Sequence, residues 1–327
     1  DEDPRRLQLS KLKALFAYPW DLHDEQVDRA LEFISETAGF NSVCVALSYH
    51  TATYFLPHNP VRKLYYGENG AIFFQPDLRR YADTVLKPRV SSVVSGDTYV
   101  QRIREEALKR KVEFSAWIVY FYNHHLAQTH PDCAKVDAFD NPYLSLLCPA
   151  NPQVRAYALA LTRDIVENCQ PQSVNLESVS YRHFDYGFLN PKVLVELTPY
   201  QRLLMGLCFC PHCLATADKA GMDGHRFKRA VSRDLGRSLA RDPRPGEDQP
   251  GLDEELDRAF GGDLGHFLSV RSQVVHSLFE EVAATIRSHG DIKIQMVMPE
   301  VASEPITGLK VDRTLPLLDR DFAWAPD

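Results

Sequence analysis

The sequence predicts an α/β fold, a (β/α)8 TIM-type barrel, on three observations. Strand-like apolar runs alternate with segments of helical periodicity, the arrangement that builds a parallel sheet. The long loops follow the carboxyl ends of the strands, where a barrel assembles its site. No G-x-G-x-x-G follows the first strand, which counts against the alternative, a doubly wound open sheet. Six strands are legible. The barrel is therefore expected either to contain further strands or to stop at its C terminus before it closes.

The elements follow in order. LKALFAY (Leu12–Tyr18) is an apolar run ended by Pro19. Asp24 is a candidate cap for a helix with Val27, Ala30, Leu31, Ile34 and Ala38 on one face, stopped by Gly39. SVCVALSY (Ser42–Tyr49) completes a parallel βαβ unit. Residues 51–96 form a long excursion rich in Pro, Gly and aromatics, expected to be functional or to carry small elements of its own. Asp97 is expected to cap a helix to Lys111, before a third strand, EFSAWIVYFY (Glu113–Tyr122). Asn151-Pro152 starts the next helix, cap then proline in the first turn. SVNLESVSY (Ser173–Tyr181) is the fourth strand. Residues 233–262 read as a charged, Pro/Gly-rich surface insertion. Asp263 opens a long helix, IKIQMVMP (Ile292–Pro299) is the fifth strand, and Asp321–Trp324 is a candidate sixth. There is no internal repeat, and one barrel domain over 1–327 is expected.

Composition narrows the class. The chain has 327 residues, 44% of them hydrophobic and 25% charged, which excludes collagen-like, disordered and disulfide-scaffold proteins. The apolar runs are short and broken by charge, so no transmembrane helix is expected. The net charge of −7 argues against a nucleic-acid partner, which needs a basic patch. The chain opens at Asp1 with DEDPRR, without an initiator Met or an apolar signal region, so trimming or cleavage is expected. Seven cysteines, three of them within six residues, suit metal binding better than a disulfide framework and favour a reducing, cytoplasmic compartment.

Those three cysteines, Cys208, Cys210 and Cys213 of LCFCPHC, are spaced so that their thiolates can converge on one tetrahedral ion. A structural zinc takes four such ligands. Cys148 is the preferred fourth, with Cys133, Cys169 and His212 as competitors. Buried small hydrophobes and disulfides are the other readings of the cluster. A closed four-thiolate site has no open position, so its role would be structural.

Glu177 interrupts an otherwise apolar and small strand. A carboxylate there is costly unless it is paired, and at the carboxyl end of a barrel strand it reads as catalytic. Partial burial would raise its pKa, as a general acid at neutral pH requires. The bland alternative is a Glu satisfied by a neighbour such as Arg182. LCPANPQVRAYALALTRDI, VNLES and LCFCPHC together, over about residues 145–215, resemble the zinc-bearing (β/α)8 β-galactosidases of glycoside hydrolase family 42. The same stretches are also similar to uncharacterised glycoside-hydrolase-like barrels. The resemblance implies that Cys148, Cys208, Cys210 and Cys213 hold zinc and that Glu177 is the acid/base, although Asn175-Leu176-Glu177 departs from the family's adjacent Asn-Glu. It implies a nucleophile after a seventh strand, which is not legible here. Glu300 is the candidate second carboxylate, with Glu304, Asp321 and Asp327 behind it.

The strand ends also offer Tyr18, Trp20, Tyr49, His50, Tyr122, Asn123, His124, Tyr181 and His183. Aromatic faces stack on sugar rings, and His and Asn bond hydroxyls, a mix that suits a polar ligand in a concave site. Of these, Trp20, His50, Asn123, His124, Tyr181 and His183 are the candidate substrate contacts. The expected function is a glycosidase with a carbohydrate substrate and a structural zinc, in carbohydrate metabolism, with a homo-oligomer as one arrangement. The alternatives are a non-catalytic barrel binding carbohydrate or a partner, and a metal-dependent hydrolase built on His50, His124 and His183.

Overall fold

The computed structural model describes residues 12–51, 53–94, 96, 98–185, 197–240, 259–297 and 304–322. Six parallel strands form the frame: β1 (Ala14–Ala17), β2 (Ser42–Tyr49), β3 (Glu113–Val119), β4 (Ser173–Glu177), β5 (Lys293–Val297) and β6 (Arg320–Phe322). They lie side by side in chain order, each neighbouring pair parallel. A doubly wound sheet reverses its strand order at a switch point; this sheet does not. Among the described residues β1 and β6 are not paired, so the frame is an open arc in barrel order rather than a closed eight-stranded barrel.

Strand side chains alternate between faces, and the arc uses both. Val43, Val45, Leu47, Phe114, Ala116, Ile118, Val174, Leu176, Ile294 and Met296 join the core shared with the helices. Cys44, Ala46, Trp117 and Val119 belong to a second, concave core rich in aromatics. Ser115, Asn175 and Gln295 are also fully buried and share this concave register: Asn175 lies opposite Trp117 on one side and Gln295 on the other.

The 51–96 excursion is built onto the carboxyl end of β2. Because β1 pairs only with Ser42–Val45, the upper edge of β2 is left open, and Ala71–Ile72 pairs antiparallel with Ser48 and Tyr49 there. A hairpin, Thr53–Phe55 with Leu64–Tyr66, precedes it. Asp24 anchors this excursion and is not the helix cap expected from sequence. It ends a short helix, Pro19–Asp24, is buried, and accepts from Arg62 Nη2 at 2.7 Å and Asn59 Nδ2 at 3.0 Å. The next helix, Val27–Glu32, starts at Gln26 without a side-chain cap. A buried carboxylate needs its cation more than an exposed helix end needs a cap. Asp97 lies outside the described residues, and the helix it was expected to cap runs Tyr99–Lys109.

Gly70 ties the excursion to the end of β3. Its φ is +61°, and a Cβ built on it would lie 2.0 Å from Asn123 Oδ1. Gly70→Ala is expected to cost about 1–3 kcal/mol, read as a lower denaturation midpoint at unchanged m-value. An unaltered midpoint would contradict this packing.

Asn151 caps the Pro152–Asp164 helix as expected, accepting from Gln153 N at 2.8 Å. The long helix spans Gly262–Arg287. Its first half packs with Pro199–Met205, Pro211–Lys219 and Gly224–Leu239 around Leu203, Phe209, Phe227 and Phe267. The expected insertion at 233–262 therefore begins too early. Residues 233–239 continue the Gly224–Leu239 helix because Val231 and Leu235 keep its buried face; residues 241–258 lie outside the described residues.

Candidate active site and thiolate centre

Two centres lie on either side of the segment that follows β4. The first is a thiol cluster. Cys148 Sγ is 3.4 Å from Cys213 Sγ, 3.4 Å from Cys210 Sγ and 3.7 Å from Cys208 Sγ. All four residues are buried, and their ligand atoms lie within 4.8 Å of one another. A disulfide requires about 2.05 Å. Four sulfurs held about 2.3 Å from one tetrahedral ion stand about 3.8 Å apart, so the four fit a mononuclear metal. Cys148 is the fourth member, brought in by the hairpin strand Pro142–Leu147 that it ends. Cys133, Cys169 and His212 are not in the group. Val136 N–H donates to Cys208 Sγ at 3.4 Å, and Tyr181 Oη lies 3.3 Å from Cys213 Sγ. Lys135, buried in the strand Ala134–Val136, is pushed down to about 7 by burial and by Arg271, against the opposing pull of Cys208, Cys148 and Asp137.

The second centre surrounds Glu177, the last residue of β4. Its side chain points into the concave face, where Trp117 Nε1 donates to Oε2 at 2.7 Å. Burial raises its pKa, opposed by the charge of Arg182 and by the Trp117 bond. Arg182 is the one charged group acting on it among the described residues. Ser178, immediately after, has φ +60°. For a non-glycine residue that is a strained conformation, of the kind that collects at functional sites.

An aromatic wall rises beside Glu177. Trp20 is sandwiched between Tyr18 (4.5 Å, 10°) and Tyr65 (4.4 Å, 22°). The hydroxyls of Tyr18, Tyr49 and Tyr54 form a triangle of 3.0–3.2 Å. His50 is stacked between Tyr49 at 4.3 Å and Tyr122 at 4.1 Å. Its Nδ1 is buried without a hydrogen-bond partner among the described residues. Burial, then His124 and Arg182, push His50 down to about 3. Burial also lowers His124, and lowers His183 together with Arg182. All three are shifted towards the neutral imidazole, a donor and acceptor without charge.

The expected site residues separate into three places. Of the expected residues, Tyr18, His50, His124, Glu177 and His183 are partly exposed, as are Tyr54 and Arg182. Trp20 is 1% exposed and stiffens the wall from behind. Asn123 and Tyr181 depart from the expected substrate role. Asn123 is buried and caps the His124–Thr129 helix, accepting from Leu126 N at 2.9 Å. Tyr181 is buried and turned to the thiol cluster. A helix start and a thiol cluster claim polar atoms that the sequence alone leaves free. Glu300 and Asp327 lie outside the described residues. Glu304 is held below the usual carboxylate range by the Val311 N–H and by Lys310, a charged structural role.

Trp117 and Tyr54 were not singled out in the sequence. Period-two alternation puts Trp117 on the face of Ser115, but its meeting with Glu177 depends on the β3–β4 register. Tyr54 and Tyr65 face inward together because they are cross-strand partners in the hairpin.

No family model matches the chain, and no curated protein sequence matches it. Solved structures do, glycoside hydrolases among them. The chain is similar to α-L-fucosidase isoenzyme 2 from Paenibacillus thiaminolyticus, at 12% identity over 82% of this chain and 29% of that one, TM-score 0.45. It is similar to a β-galactosidase from the psychrophilic Marinomonas ef1, at 10% identity over 94% and 40%, TM-score 0.48. It is similar to the catalytic domain of a β-amylase from Paenibacillus polymyxa, at 11% identity over 95% and 75%, TM-score 0.47. The chain thus spans less than half the length of the fucosidase and the β-galactosidase. No described helix is long and apolar enough to cross a membrane.

Proposed function

We propose that the chain is a glycoside hydrolase, or a close relative of one, acting on a carbohydrate at the β4 end of the arc. The observation that carries the reading is Glu177: a strand-end carboxyl, raised by burial, oriented by Trp117, at the edge of a cleft of aromatic faces and neutral imidazoles. A neutral acid there protonates a leaving glycosidic oxygen. His50, His124 and His183 bond sugar hydroxyls, and Tyr18 and Tyr54 offer the ring faces. A second carboxylate, with Glu300 after β5 as the candidate, attacks the anomeric carbon or activates water. A separation of about 5–5.5 Å gives retention and one of about 6.5–9.5 Å gives inversion. The four cysteines hold a structural zinc, and no step of the reaction passes through it.

The test is a panel of aryl glycosides offered to the purified protein, with calorimetric titration of the matching free sugars. Release of the aryl group supports the reading; neither release nor sugar binding removes it. Trp117→Phe takes away a hydrogen bond to the ionised carboxyl. It is therefore expected to raise the Glu177 pKa further and to move the alkaline limb of the pH–rate profile to higher pH. A limb that stays in place or moves down would separate Trp117 from the acid.

One observation favours a second reading, a barrel that binds carbohydrate without cutting it: among the described residues the charge acting on Glu177 is that of Arg182 and not of a carboxylate. Sugar binding without turnover would select it. The metal-dependent hydrolase is not proposed, because among the described residues the converging ligand set is the four cysteines, and His50, His124 and His183 do not join one.

A further inference from the structure

The Gly224–Leu239 helix carries two ridges on opposite sides. Phe227, Val231 and Leu235 are buried in the core shared with the long helix. His225, Arg229, Arg233 and Arg237 follow the same four-residue spacing, two residues out of phase, and all four are exposed. Two residues turn an α-helix by about 200°, so the basic ridge faces away from the core. Its members stand about 6 Å apart along the axis. An arginine in a protein is always charged.

The neighbouring cations are neutralised and the ridge is not. Arg226 pairs with Asp263 at 3.0 Å, and Lys228 pairs with Asp140. Arg229, Arg233 and Arg237 have no carboxylate partner among the described residues. Asp234, the acid on the helix itself, accepts from the Tyr200 hydroxyl instead. Like charges four residues apart destabilise a helix. The first turn holds His225 and Arg226 and no acid, which opposes the helix dipole. The ridge therefore weakens its own helix, in a chain whose net charge is −7. Its first half borders a cavity of about 450 Å³ against Ala138 and Asp140. The one carboxylate lining that cavity is Asp140, already taken by Lys228.

An anion from outside compensates such a ridge, and the surroundings narrow its class. The apolar face of the helix is buried, so none is left to lie in a lipid surface. The ridge offers no Phe, Tyr or Trp, the stacking platform that single-stranded nucleic acid uses. A small anion reaches one or two guanidiniums, whereas an extended polymer engages all three at once. Each guanidinium fork fits an oxyanion group through two parallel bonds. We propose that this ridge binds an extended acidic polysaccharide, bearing carboxylate or sulfate groups, through none of the residues of the cleft at Glu177. The choice of a polysaccharide rests on the glycosidase reading above.

The test titrates the full chain at low salt into fluorescein-labelled polygalacturonate, dextran sulfate, neutral dextran, oligothymidylate and a DNA duplex, following anisotropy. Binding of an acidic polysaccharide but not of neutral dextran is expected, weakening as salt is added. The tighter of the two acidic polymers assigns carboxylate or sulfate. The triple variant Arg229→Gln, Arg233→Gln, Arg237→Gln is expected to bind about tenfold more weakly or worse, with a shallower salt dependence, because fewer counterions are released. The matching triple Lys variant keeps the charge and most of the affinity. All three positions are exposed, and removing their repulsion leaves the melting temperature unchanged or higher. Equal affinity of the wild-type and triple Gln chains would overturn the proposal. So would a preference for either nucleic acid, or a wild-type chain that binds neither acidic polysaccharide. Aryl-glycoside turnover without acidic-polymer binding fails the ridge alone. Polymer binding through the ridge, with neither turnover nor free-sugar binding, fails the glycosidase reading and leaves the ridge standing.

Discussion

Glu177→Gln is expected to lower glycoside turnover by about 10²–10⁴-fold, the range that general acid–base groups supply, while sugar binding measured by calorimetry changes little. The amide keeps the shape of the acid and an oxygen for the Trp117 N–H, but it has no proton to transfer. The same variant carries a stability signature that does not depend on knowing the substrate. Burial raises the pKa of Glu177 above its unfolded value. Its contribution is therefore fully present below the unfolded pKa and is lost as pH rises through the folded one. At low pH the neutral acid and the amide are nearly equivalent; at higher pH the wild type alone carries the poorly solvated charge. The Gln variant is expected to melt above wild type at neutral pH, with the gap closing on acidification. Equal turnover in the two proteins would remove Glu177 from the chemistry. A gap independent of pH would show that its pKa is not raised.

If the four cysteines hold the proposed zinc, stripping it, or replacing Cys208 by Ser, is expected to destabilise the fold by about 3–5 kcal/mol, the cost of removing one partner from a buried charge pair. With an unfolding entropy of about 2.1 cal/mol/K per residue, that is a fall in melting temperature of roughly 4–7 °C in a chain of 327 residues. The loss follows from position. The four sulfurs join the end of the Pro142–Leu147 strand to the Cys208–Cys213 turn, and Cys213 in turn meets Tyr181. Because Tyr181 lies four residues beyond Glu177, opening the cluster is also expected to loosen the acid's surroundings. Differential scanning calorimetry with and without chelator, alongside metal content, measures the effect. An unchanged melting temperature after complete metal removal would show that the thiols pack equally well without an ion.

What the sequence alone determined is local. Short apolar runs located five strands of the arc and left Asp321–Trp324 as a candidate sixth, because a strand buried on both faces reads as a continuous apolar run. Asn151-Pro152 marked its helix start, C-x-C-x₂-C marked three of the four thiols, and the lone carboxyl in a small, apolar strand marked Glu177. The tertiary structure decided which distant residues converge. The choice of Cys148 over Cys133, Cys169 and His212 depends on where the Pro142–Leu147 strand ends relative to a turn some sixty residues away. The pairing of Trp117 with Glu177 depends on the β3–β4 register. The same folding assigned Tyr181 to the thiols, Asn123 to a helix cap and Asp24 to Arg62. A polar side chain takes the buried partner that would cost most to leave unsatisfied, and which partner that is depends on the packed chain, not on its neighbours in sequence.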